Sequence, residues 1–235
     1  MDMQKSVDQL MNLVNTLILL VIALIYVVTG TRLGDNAIAA LSTGTVYRGA
    51  QNGTVALECA VSWDAKGVTD MLDVLKENDA HMTFFVSGRW AKAHASTLER
   101  MAEEGHEIGT CGYSPLLDGS VGMVESDIAA SAGVIERITG KEVTYYYAGL
   151  RNRDISSRAA GRLELVHISA SCDLMSGRGE AEDILSRASE QVFDGSILML
   201  QPTAAAVEAL PALLQQIREK GYAPATVGEA LKGTA

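Results

Sequence analysis

The chain has 235 residues, 48% of them hydrophobic, and a formal charge of −10. An acidic surface of that size argues against nucleic acid as a partner, because phosphate binding needs clustered Lys and Arg, and against adhesion to anionic lipid or wall polymer. Three Cys, an odd number, allow no complete disulfide framework within one chain.

The first element in chain order is the apolar run Met11–Val28, interrupted only by Asn12, Asn15 and Thr16. Its length matches the roughly 20 residues a helix needs to cross a bilayer, and residues 1–29 read as an uncleaved membrane anchor. A cleaved signal peptide is the rival. Against it, Lys5 is opposed by Asp2 and Asp8, and the small-residue site Ala37-Ile38-Ala39 lies far beyond the apolar run. A buried core helix is a third reading. Lys5 and Arg32 are too weak a pair to set orientation. Residues 30–52 have little periodicity and read as a linker.

From residue 53 to 235 the pattern alternates strand and helix. Runs of strand length are Thr54–Ala60, Met82–Val86, Glu107–Thr110, Val143–Ala148, Leu165–Ala170, Ser196–Leu200 and Ala223–Val227. Val68, Met71, Leu72 and Leu75 follow the i, i+3, i+4, i+7 stripe of a helix on a core. Ile128, Ala132 and Ile135 do the same ahead of a helix stop at Thr139-Gly140. In the last long helix the stripe is Val207, Leu210, Leu214 and Ile217, with Pro211 expected near its start. Seven short strands alternating with helices predict an α/β fold with a parallel sheet.

Three stretches carry a resemblance. They are Val55–Leu57 (VAL), Thr83–His94 (TFFVSGRWAKAH) and Met101–Ser114 (MAEEGHEIGTCGYS); Cys59-Ala60-Val61-Ser62-Trp63 adds a strand end of the F-D-I-S-W type. In these the chain resembles the NodB-type polysaccharide deacetylases, most closely their sporulation-associated branch. The resemblance implies a distorted (β/α) barrel over residues 53–235 and places that domain outside the membrane. It also implies N-deacetylation of a sugar, with a divalent metal such as zinc, a carboxylate base and an acid for the leaving amine.

The residues at the family's reactive positions do not fit that chemistry. Ala60 and Val61 stand where the first motif has its two Asp, and Cys111 and Pro115 where the second has two His four apart. Tyr146 stands at the Arg of the third motif, with the alignment open by about one residue, and Leu200 at the acid His of the fifth. Asp173 lies in the neighbourhood of the fourth motif, without the Trp that follows it in the family. The expectation is therefore no catalytic set and no metal.

Other residues could serve a ligand. Glu58 shares a strand face with Ala60 and is either a carboxylate near the old base or a rim residue paired with Lys or Arg. Trp63, Tyr113 and Tyr145–Tyr147 could pack on sugar C–H faces, though a consecutive run must turn to both sides of its strand. The ligand-binding candidates are thus Glu58, Trp63, Tyr113, Tyr146 and Asp173, the alternative being ordinary core and rim packing. Cys59, Cys111 and Cys172 fall near three strand ends and could be small buried hydrophobes, a disulfide pair or a thiolate site. His106 reads as framework, His94 as helical, His81 as lying at the wrong end of the barrel and His167 as intrastrand. Arg151, Arg153 and Arg158 read as a solvated basic patch. The favoured reading is a membrane-anchored, inactive relative of the deacetylases that binds an envelope glycan or a protein partner; the alternatives are a divergent C–N hydrolase and a ligand-free scaffold.

Overall fold

The computed structural model describes Met11, Thr16, Ile18 and residues 44–63, 66–115 and 117–232. The chain divides into two units, Met1–Leu41 and Ser42–Ala235. Of the first, the three described residues are helical and exposed. The rest of the expected span Met11–Val28 lies outside the described residues, among which no helix is long and apolar enough to cross a membrane.

Among the described residues the second unit holds eight parallel strands. They are β1 (Thr54–Val61), β2 (Thr83–Val86), β3 (Glu107–Thr110), β4 (Tyr145–Tyr147), β5 (Val166–Ile168), β6 (Cys172–Asp173), β7 (Ile197–Leu200) and β8 (Ala223–Ala225). The order across the sheet is β5-β4-β3-β2-β1-β7-β6, with β8 pairing β1. The helices are α1 (Lys66–Glu77), α2 (Gly88–Ala93), α3 (Ala95–Glu103), α4 (Val121–Thr139), α5 (Arg153–Arg162), α6 (Ala181–Gln191), α7 (Ala204–Glu219) and α8 (Val227–Leu231). β1 lies mid-sheet, and its sequence TVALECAV is nearly all buried, the continuous apolar run of a parallel strand covered on both faces.

Period-2 alternation sorts each strand into two faces. Val55, Leu57, Cys59 and Val61 of β1, Phe84 and Val86 of β2, and Leu198 and Leu200 of β7 pack with the stripes of α1 and α7 in the main core. The other face, Ala56, Glu58 and Ala60 in β1, turns to the inside of the half-barrel. Gly140 (φ 67°) ends α4 in the left-handed region at the expected stop.

Several expectations change. The barrel is a half-barrel, because β5 and β6 sit at opposite ends of the sheet path. Part of the expected linker fills that seam: Val46 bridges Ile168, Ser171 Oγ donates to the Tyr47 carbonyl (2.6 Å), and Gly49 N donates to Gly195 O (2.8 Å). β6 escaped notice because two residues carry no periodicity. Pro211 lies inside α7 rather than at its start, on the exposed side, where a missing N–H and a local bend are tolerated at the surface. His94 is not within a helix but caps the junction of α2 and α3, its ring stacked on Trp90 at 4.7 Å.

Candidate functional site: the mouth of the half-barrel

The C-terminal strand ends form the mouth, where α/β barrels gather working residues. Register fixes the row that runs across the inner face from Asp173 to the N-terminal ends of β2 and β3. Asp173 pairs with Met199, Met199 with Glu58, Glu58 with Thr83, and Thr83 with Glu107. One row across the inner face thus carries three carboxyl groups.

Their environments differ. Glu107 is satisfied by Thr83 Oγ1 (2.7 Å) and by the Gly228 amide (2.9 Å), with Val227 N donating in turn to Thr83 Oγ1 (2.8 Å). It closes the end opposite the mouth, beside a separate concavity of about 420 Å³ that includes Tyr145, Lys141 and Lys232. Asp173 is exposed and accepts from the Met175 amide (2.8 Å). Glu58 is fully buried and neither carboxyl oxygen has a hydrogen-bond partner. A buried polar group left so costs about 1–3 kcal/mol, and more when charged. Burial first and the Asp173 charge second push the Glu58 carboxyl up to about 8, so it is neutral at pH 7. The expected alternative, a rim Glu paired with Lys or Arg, is overturned.

The layer above Glu58 holds Ala60, Phe85 and Gly109, in register. A Cβ at Gly109 would lie 2.6 Å from the Phe85 ring, so glycine is what lets that ring lie across β3. Phe85 meets Tyr147 at 5.7 Å between centroids. Ser62 Oγ and Cys111 Sγ are 3.7 Å apart. Burial first, with the acidic groups Glu58, Asp173 and Cys111 after it, raises the Tyr147 hydroxyl to about 12.

This corrects three positions. Tyr146 is buried on the helix side with Val124, Ile128, Ala159 and Ala160, and its hydroxyl donates to Ser156 Oγ (3.3 Å). It cannot line the mouth; Tyr147 does. Val61 and Leu200 also face the helix-side core, so the residues that reach the mouth there are their neighbours Ser62 and Gln201. Counting by twos from Glu58 and Met199 would have found both. Trp63 stands 74% exposed on the β1–α1 loop. Tyr113 and Pro115 are half-buried on the β3–α4 loop.

That loop is held by Arg151, which is buried rather than solvated. Its five N–H groups are all used: Nε on Leu117 O (2.8 Å), Nη1 on Cys111 O (3.1 Å) and Tyr146 Oη (3.0 Å), Nη2 on Ser114 O (2.5 Å) and Asp127 Oδ2 (2.7 Å). Asp127 in turn accepts from the Tyr113 and Ser114 amides, both at 3.0 Å. Gly112 (φ 86°) passes against this pair, and a Cβ there would collide with Asp127 Oδ2 and Arg151 Nη1. Gly112→Ala is accordingly expected to destabilise the domain by about 2–4 kcal/mol in urea unfolding, from left-handed strain plus overpacking. A change under about 0.5 kcal/mol would show the loop to be loose.

The residues present do not fit a catalytic metal. Ala60 and Pro115 have no side-chain donor atom. Burial raises the Cys111 thiol to about 11, despite help from Ser62 and Arg151, which opposes thiolate ligation. Among the described residues no three His, Cys, Asp or Glu gather into a metal-binding group. All three Cys are free; Cys59 lies within the helix-side core and Cys172 packs against it, which fits the reading as small buried hydrophobes rather than a disulfide pair. His106, against Phe84 at 5.3 Å, and His167, beside Thr45 Oγ1 at 3.0 Å, are each brought down to about 4 chiefly by burial.

An open parallel half-barrel with its functional end at the strand C-termini is the α/β fold of the carbohydrate deacetylases. Residues 53–164 match the family model "Polysaccharide deacetylase". Among curated proteins it is 25% identical over 185 residues to the uncharacterized protein YlxY of Bacillus subtilis, covering 77% of this chain and 58% of YlxY. It is 27% identical over 165 residues to the peptidoglycan-N-acetylmuramic acid deacetylase PdaC of the same organism, covering 68% of this chain and 34% of PdaC. Among solved structures, BA3943 of Bacillus anthracis, a CE4 family pseudoenzyme, superposes with a TM-score of 0.77 at 25% identity, covering 83% of this chain and 72% of that one. A BA3943 mutant with restored enzymatic activity superposes equally, at a TM-score of 0.77. The chain spans 58% or less of the length of the first curated relatives it matches.

Proposed function

We propose that this protein is a non-hydrolytic member of the polysaccharide deacetylase family that uses the half-barrel mouth to bind an envelope glycan. The observation that carries the reading is the want of donors at the mouth: Ala60 and Pro115 carry no side-chain donor atom and burial raises the Cys111 thiol to about 11. Such a set does not hold a divalent cation, and without one the buried, unpartnered Glu58 has no activated water to serve. The likeness to a pseudoenzyme supports it. Trp63, Leu150 and Met175 are exposed large apolar residues on the loops after β1, β4 and β6, the kind of surface that marks a binding rim. Residues 11–28 anchor the protein in the membrane, with the deacetylase-like domain on the extracytoplasmic side.

The test is a paired measurement on the full chain purified with added zinc or cobalt. Metal by mass spectrometry is expected well below one per chain, and acetate release from N-acetylated chito-oligomers or peptidoglycan at background. Stoichiometric metal together with acetate release would overturn the reading. A second reading, a divergent C–N hydrolase, is favoured by one feature only, the two carboxyl groups Glu58 and Asp173 in one register row; the same measurement decides it.

A further inference from the structure

We propose that the floor of the mouth, built from Glu58 and Asp173, receives the ammonium group of a de-N-acetylated amino sugar. This rests on the glycan-binding reading and adds the ligand's chemistry. Glu58 offers two oxygens with no partner, enclosed by its neighbours in register, Met199 and Thr83. Asp173 lies across Met199 in the same row. The group whose charge acts on Glu58 is Asp173. A buried carboxyl group with no partner, across Met199 from a second and exposed carboxyl group, is stabilised by an entering cation, which lets Glu58 give up its proton and pair with it.

The lining says which cation. Besides the carboxyl groups the surroundings are Met199, Ala60, Phe85 and Tyr147. These supply too few oxygens for a dehydrated magnesium or calcium ion, which takes six or more. They suit an organic ammonium, whose N–H groups meet carboxyl oxygens while its carbon body packs on aromatic faces. Tyr147 stands beside the acids and Trp63 is exposed on the next loop. Ala60 lies directly above Glu58 on the same strand face and is only partly covered; a larger residue there would stand between Glu58 and the mouth. An amine stripped of its acetyl group is thus the form of a wall sugar that the floor complements, and the acetylated amide brings no charge to it.

Calorimetric titration of the full chain at pH 7 with a tetramer of glucosamine and with its N-acetylated counterpart tests the assignment. The glucosamine form is expected to bind at least about tenfold more tightly. Glu58→Gln and Asp173→Asn, which keep the shape of each side chain, are each expected to erase that preference without changing binding of the acetylated form. Glu99→Gln, on the exposed face of α3, is expected to leave it intact; an equal loss there would reveal diffuse attraction to an acidic protein and overturn the assignment. Tighter binding of the acetylated tetramer would also overturn it, while leaving the glycan-binding reading standing. Binding of neither tetramer would remove both. A response to magnesium or zinc chloride alone that matches the glucosamine signal would replace the ammonium by a metal ion.

Discussion

Arg151→Ala is expected to cost about 3–5 kcal/mol of folding stability, the range for breaking a buried ion pair from one side. The Arg151 and Asp127 side chains are 2% and 7% exposed, so salt and solvent do little to screen them. Removal orphans three loop carbonyls at once, Cys111, Ser114 and Leu117, and takes one of the two donors from Asp127 Oδ2. Asp127 keeps two amide donors, which holds the loss short of complete unfolding. Arg151→Lys is expected to recover only a minor part, because one ammonium with three donors cannot span a planar fork's five directions. Urea unfolding of the three proteins measures this directly. The effect is also expected to reach the mouth, since Cys111 and Tyr113 lie on the tethered segment: amide exchange over residues 111–114 should rise in Arg151→Ala before it rises in β1. A loss below about 1 kcal/mol would mean the five contacts do not act together.

The sequence made the fold legible wherever burial is continuous. β1, β2, β3 and β7, the stripes of α1 and α7, and the Gly140 stop of α4 follow from hydrophobic periodicity and from one residue's tolerance of positive φ. It failed where the determinant is not periodic. β6 has two residues, and the segment around Val46–Ala50 looks like a linker because its bonds are to backbone of β5 and to the turn before β7. In the site, the motif alignment did not say which face each residue takes. Adjacent strand residues point to opposite sides, so Tyr146, Val61 and Leu200 pack on the helix side while Tyr147, Ser62 and Gln201 alternate to the other. Arg151 escaped for a different reason. Its neighbours Arg153 and Arg158 are exposed, and nothing in a local window shows that Asp127, twenty-four residues earlier, waits behind the same loop.

Glu58→Gln is expected to stabilise the protein near neutral pH and to flatten its stability profile. The ordinary carboxyl value is 4.5, and in the folded chain burial and Asp173 carry it to about 8. Between these values the unfolded chain releases a proton that the folded chain keeps, so the folded state binds more protons and stability falls as pH rises. Below pH 4.5 both states are protonated and Glu58 imposes no penalty; above about 8 both are ionised and the loss is complete. At 1.36 kcal/mol per unit the shift corresponds to a loss of about 4–5 kcal/mol across that window. A neutral Gln has no such window. Urea unfolding at pH 5 and pH 8 should therefore show a steep drop for the parent and a much smaller one for Glu58→Gln, with the variant the more stable at pH 8. Parallel profiles would place the titrating group elsewhere and would mean that water or a partner already satisfies the Glu58 carboxylate. The same variant loses the ammonium preference argued above, so greater stability and weaker recognition should appear together. A protein that keeps an unpartnered acid buried beneath Ala60 gives up folding stability for it, and recovery of that stability on adding the glucosamine tetramer, seen as a rise in melting temperature in the parent but not in Glu58→Gln, is the result this arrangement predicts.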